Sequence, residues 1–78
     1  MNATVLVRLK GEVLDPQGDA VRRALVRLGF DRVRGVRVGK LIEIELDDQP
    51  SEEVLLRLSK MADEILANPV IEDFEVKV

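Results

Sequence analysis

Seventy-eight residues suffice for one small domain, and no cysteine is present to staple it. Twelve Lys and Arg against fifteen Asp and Glu leave a net charge of −3, and a chain that is 46% apolar and 35% charged lies outside the composition of disordered proteins. His, Cys, Tyr and Trp are all missing, which excludes a disulfide, a thiolate nucleophile, a Ser-His-Asp triad, a histidine- or cysteine-ligated metal and a tyrosine acid.

No apolar run reaches the roughly 18 residues of a membrane span. Met1-Asn2-Ala3-Thr4 lacks the layout of a signal peptide, so the cytosol is the expected compartment. Thr4 to Leu9 alternates, with Val5, Val7 and Leu9 opposite Thr4, Leu6 and Arg8, and this reads as a strand. Asp15 is a good N-cap and Pro16 suits the first helical position. Ala20, Val21, Ala24, Leu25 and Leu28 follow as one apolar stripe, and Gly29 with Phe30 marks a Schellman stop. Gly18 is awkward inside a first helical turn unless another backbone comes close to it.

Val33 to Leu46 reads as two strands hinged at Gly39-Lys40. A two-residue loop sets Val38 opposite Leu41, on the acidic face; joining Val36 and Val38 to the Ile42 face needs a three-residue loop or a bulge, and the sequence leaves both open. Ser51 then caps a second helix whose buried face is read as Val54, Leu55, Leu58, Met61, Ala62, Ile65 and Leu66, ending at Asn68-Pro69. Phe74, Val76 and Val78 alternate as a closing strand.

The order β-α-β-β-α-β over residues 1–78, without a linker, predicts an α+β domain: a four-stranded antiparallel sheet with two helices on one face. The other face is then bare, carrying Leu6, Arg8, Leu41, Glu43 and Glu45. Leu6 and Leu41 have nothing inside one chain to cover them, and a domain this small gains from burying such a face against a second copy, so the face is expected to serve oligomerisation, these five residues forming a self-association or partner interface.

Charge is split along the chain: residues 1–40 hold nine basic and four acidic groups, residues 41–78 three and eleven. The basic cluster of Arg22, Arg23, Arg27, Arg32, Arg34, Arg37 and Lys40 is compatible with phosphate contact, but RNA readers of this topology stack bases on strand aromatics, and only Phe30 and Phe74 exist. A partner-facing or self-complementary protein surface is the better reading. Glu43 and Glu45 share a strand face without the polar neighbours of a hydrolytic pair, and sequence-adjacent carboxylates point apart. No phosphate-cradling glycine motif is present.

Four blocks nevertheless occur together: Val13-Leu14-Asp15-Pro16-Gln17-Gly18, Leu28-Gly29-Phe30, Val36-Arg37-Val38-Gly39-Lys40, and Leu66-Ala67-Asn68-Pro69-Val70-Ile71-Glu72-Asp73. In this order and spacing the chain resembles the PurS family, the small subunit of phosphoribosylformylglycinamidine synthase, along its whole length; Phe74 stands where Tyr is common. The resemblance implies a non-catalytic assembly subunit, a homodimer or higher oligomer that bridges a glutaminase subunit and a large synthetase subunit. Glutamine-derived ammonia would then be used in the ATP-dependent conversion of formylglycinamide ribonucleotide to the amidine, in de novo purine biosynthesis. It further implies no catalytic residue, cofactor or metal in this chain, with ATP and Mg held by the synthetase partner, and no nucleic acid or membrane partner. Asp15, Pro16, Gly18, Arg37, Gly39 and Lys40 carry over as positions of fold or contact. A dimeric small-molecule sensor of the ACT-like kind is the alternative, distinguished by amino-acid-dependent thermal stabilisation.

Overall fold

The computed structural model describes all residues, 1–78. Strand β1 (Asn2–Leu9) runs down the middle of a three-stranded antiparallel sheet, between β2 (Lys40–Glu45) and β3 (Glu72–Lys77). Its alternation puts Ala3, Val5 and Val7 on the covered face, where all three are buried. Val5 sits directly opposite Ile42 on one side and Val76 on the other. Period two in each strand therefore builds one apolar layer across the sheet.

Helix α2 (Glu52–Met61) covers that layer. Ser51 Oγ accepts from the Val54 N–H at 3.2 Å, satisfying one of the free donors of the first turn. Val54 and Leu58 enter one cluster with Ala3, while Val5, Val7, Ala62 and Ala67 form another. A π-helical turn, Ala62–Leu66, continues α2 and closes with Ala67 N–H on Ala62 O at 2.8 Å. The extra residue in that turn rotates the end of the helix. Ile65, expected in the buried face, points outward at 81% exposure, and Leu66 and Ala67 turn inward. Leu55 and Met61 lie on the flanks of α2, a little over one-third exposed, rather than in the core.

Helix α1 (Pro16–Arg27) has the ends its sequence demands. Asp15 caps it, Pro16 is its first residue, and Gly29 adopts φ 101°. Phe30 N–H to Leu25 O and Gly29 N–H to Val26 O, both 3.0 Å, complete the Schellman motif.

Two expectations are corrected. The sheet has three strands, not four, because Gly39-Lys40 makes no turn: neither residue has positive φ, which the favoured two-residue hairpins require at the first central position or at both. No turn or bend interrupts residues 33–39, and the chain runs on into β2. An unbroken run keeps Val36, Val38, Ile42 and Ile44 in one alternating series, which removes the conflict of faces that any tight turn would create.

Nor do two helices share a face of the sheet. α2 packs on the strands, whereas α1 makes no comparable packing with strands or α2. The molecule measures 47 × 24 × 15 Å, and its radius of gyration is 15.9 Å. A compact chain of this length would have about 11.5 Å. Only 8 of 78 residues are buried, which reflects an arm, α1 and residues 28–39, that stands away from the body.

Candidate functional site

The base of that arm gathers the motif residues singled out in the sequence. Asp15 is half-buried there and uses both carboxylate oxygens: Oδ1 accepts from Gly18 N–H and Oδ2 from Val38 N–H, each at 2.8 Å. One side chain thus ties the first turn of α1 to the segment entering β2. Arg37 holds the other side, its Nη2 donating to the carbonyls of Lys10 (2.9 Å) and Val13 (2.8 Å) in the connection from β1. Gly18 lies against the Val36 carbonyl, so close that a Cβ would collide with it, and a Cβ on Gly39 would stand 2.5 Å from Val7 O. Backbone approach of this kind is what glycine alone permits, and it answers the puzzle of a glycine early in a helix. Lys40 Nζ reaches Glu72 Oε2 at 3.8 Å and Leu66 O at 3.5 Å, fastening the start of β2 to the far edge of the body.

Asp15, Gly18, Arg37 and Gly39 therefore meet in one joint at the base of α1, which Pro16 begins, while Lys40 reaches away from it to Glu72 and Leu66. The bond from Asp15 to Val38 spans 23 residues, and no local periodicity announces it. The one hint is that an N-cap occupies a single carboxylate oxygen and leaves the second free for another donor.

The Gly18 N–H, then the Val38 N–H, hold the Asp15 carboxyl below the ordinary aspartate range; its partial burial opposes them, and the Arg37 charge and Gln17 N–H add to them. A carboxylate whose folded pKa is depressed stabilises the joint wherever it is ionised. That contribution is complete above the ordinary aspartate range and is lost as pH falls through the lower, folded value. The protection of the Gly18 and Val38 amides, their exchange measured against the intrinsic rate at each pH, is accordingly expected to fall on acidification below that range. Asp15→Asn, whose amide NH₂ would face one of the two N–H donors, is expected to show the lower protection already at neutral pH and little further change in acid.

The bare sheet face forms as the sequence predicts. Leu6 and Leu41 are directly opposed across β1 and β2, with Glu75 on the other side of Leu6. Leu41 is 62% exposed and Leu6 half-buried. Arg8 pairs with Glu75 at 3.7 Å, and Glu43 and Glu45 stay exposed along the β2 edge. A groove of about 510 Å³ runs from Leu6 and Leu41 to the joint, past Arg8, Arg37 and Gly39. No three His, Cys, Asp or Glu side chains are grouped to hold a metal ion, and no helix is long and apolar enough to cross a membrane.

A joint, a projecting helix and an open sheet face over the full length of the chain are the features to set beside known proteins. Residues 2–78 match the family model PurS, phosphoribosylformylglycinamidine (FGAM) synthase. The chain belongs to the PurS family. It is 43% identical over 76 residues to the FGAM synthase subunit PurS of Methanocaldococcus jannaschii, spanning 97% of this chain and 92% of that one. With the Mycobacterium leprae PurS subunit it shares 45% identity over 74 residues, covering 95% and 90%. The crystal structure of M. jannaschii PurS superposes with a TM-score of 0.86 at 42% identity, over 97% of this chain and 92% of that one. A chain in the structure of PurLQS from Thermotoga maritima gives 0.86 at 30% identity, over 97% and 93%. PurS structures thus share the α+β architecture found here, projecting segment included in the aligned length.

Proposed function

We propose that this chain is the non-catalytic assembly subunit of FGAM synthase, acting as one PurS-like unit over residues 1–78 in the cytoplasm. In this reading it joins a glutaminase subunit to a large synthetase subunit, so that ammonia from glutamine is consumed in the ATP-dependent conversion of formylglycinamide ribonucleotide to the amidine. ATP and Mg belong to the synthetase partner. The observation that carries the reading is the rigid joint: a small chain of the PurS family commits two carboxylate oxygens, an arginine and two backbone-tight glycines to holding a helix away from its own core. Such a design serves docking, since a helix held in place beforehand loses less freedom on binding.

The bare face is the proposed seat of a larger subunit. Leu6 and Leu41 supply its apolar centre, with Arg8, Glu43 and Glu45 as a charged rim. Reconstitution of the purified subunits tests the function. Omitting this chain is expected to abolish glutamine-dependent synthesis while synthesis from added ammonium salt persists; equal glutamine-dependent rates with and without it would sink the proposal. Leu6→Glu or Leu41→Glu is expected to weaken retention of a larger subunit in co-purification, with the circular dichroism unchanged.

A further inference from the structure

We infer that the arginine-bearing side of α1 is a second docking surface, fitted to a carboxylate-rich patch on one of the two larger subunits. This rests on the assembly role proposed above and gives it a further contact. A chain that joins two subunits needs two separate seats, and the bare sheet face supplies one.

Asp19, Arg22, Arg23 and Val26 recur at intervals of three and four on the side of α1 away from its apolar stripe, with Arg27 on the flank. Arg22 is half-buried and the others are exposed. Val26 gives this side a small apolar centre. Four hydrogen bonds in the joint anchor the base of the helix that carries it.

The charge on this side is unbalanced. Asp19 is the one carboxylate that reaches it, with Oδ1 accepting from Arg22 at 3.1 Å and Oδ2 lying 3.3 Å from Arg23. One negative charge shared by two guanidinium groups leaves donors unused on both. Arg27 has no carboxylate partner, nor do Arg32 and Arg34 beyond the end of the helix. Residues 16–39 hold six basic and two acidic groups, in a chain whose net charge is −3. An excess of one sign on a projecting helix steers a partner of the opposite sign.

Residue type narrows the partner. All six of those cations are arginine, although the chain has four lysines elsewhere. Arginine is enriched and lysine depleted at protein interfaces, because the planar guanidinium pairs with a carboxylate through two bonds and sheds water more readily. Phe30 is the only aromatic residue of the segment, too little for the base stacking that a single-stranded nucleic acid uses.

The test uses the intact chain and the two purified larger subunits. Arg22→Glu/Arg23→Glu/Arg27→Glu is expected to release one larger subunit in co-purification and keep the other, whereas Leu41→Glu releases the second and keeps the first. Association with the first subunit is expected to be about ten-fold slower in the glutamate variant at low salt, and the difference shrinks as salt rises. The triple glutamine variant, uncharged and equally helix-forming, is expected to show the same selective loss to a smaller degree, with the circular dichroism unchanged. Lys60→Glu, on α2, is expected to alter neither contact. A glutamate variant that holds both subunits at the wild-type rate overturns the inference, as does one that loses the same subunit as Leu41→Glu. So does wild-type association indifferent to salt, or a single-stranded oligonucleotide bound more tightly than either subunit. None of these results touches the assembly role, which fails if the wild type does not hold both subunits; the second seat then falls with it.

Discussion

Alanine at Gly18 or Gly39 lowers the melting temperature and frees the base of α1, whereas alanine at Gly11 or Gly35 does neither. In an isolated helix, Gly18→Ala would stabilise by about 1 kcal/mol. Here the added methyl meets the Val36 carbonyl and the Asp15 carboxylate, and at Gly39 it meets Val7 O at 2.5 Å. Neither oxygen of the backbone can rotate away: Val36 is held through its neighbours Arg37 and Val38, and Val7 lies in the central strand, paired on both sides. Overpacking of this kind costs about 1–3 kcal/mol. A domain of this size has only about 4–12 kcal/mol in total, and each kcal/mol moves the midpoint by roughly 4–8 °C. Gly11 and Gly35 have open space around them and no positive φ, so alanine there is neutral or adds about 0.4–1 kcal/mol by restricting the unfolded chain. Thermal melts of the four variants check this, and a stabilised Gly18→Ala protein would contradict the close approach that defines the joint.

Leu58→Ala is expected to cost more than any joint variant, about 2–5 kcal/mol, enough to leave a marginal chain largely unfolded at warm temperature. Leu58 is fully buried, packed with Ala3 and Val54 under α2. With a core of seven buried apolar residues there is little else to close over the cavity. Leu56, two positions away and 72% exposed, provides the control: Leu56→Ala is expected to stay within about 0.5 kcal/mol. Urea denaturation of the two variants separates these outcomes, and equal midpoints would mean that α2 is not the lid of the sheet.

Much of the architecture is legible residue by residue. Asp15-Pro16 and Leu28-Gly29-Phe30 mark the two ends of α1 because caps are local chemistry, settled by a few bonds within one turn. The alternation around Val5 places Ala3, Val5 and Val7 inward and Leu6 opposite Leu41 for the same reason: strand faces arise from a period of two. The π turn is not legible, since Ala62-Asp63-Glu64-Ile65-Leu66 continues the helical spacing of α2 and only packing against the sheet decides where the register slips. Asp15 is visible as a cap, but its second bond, to Val38, depends on where a segment 23 residues later arrives.

The Gly39-Lys40 segment shows where local signals end. The same dipeptide can close a hairpin or lie in a straight run, and the choice rests on long-range neighbours: Val7 beside Gly39, Asp15 beside Val38, and the carbonyls that Arg37 grips. The sequence by itself determined β1, α1, β2, α2 and β3 in that order, with one strand too many before β2, and also the caps, the two faces of the sheet, the lack of thiol and imidazole chemistry, and, through four spaced blocks, the family. Tertiary structure alone decided that the hinge stays open and that α1 is carried outward, because those outcomes depend on bonds between segments far apart in the chain, which no periodicity encodes.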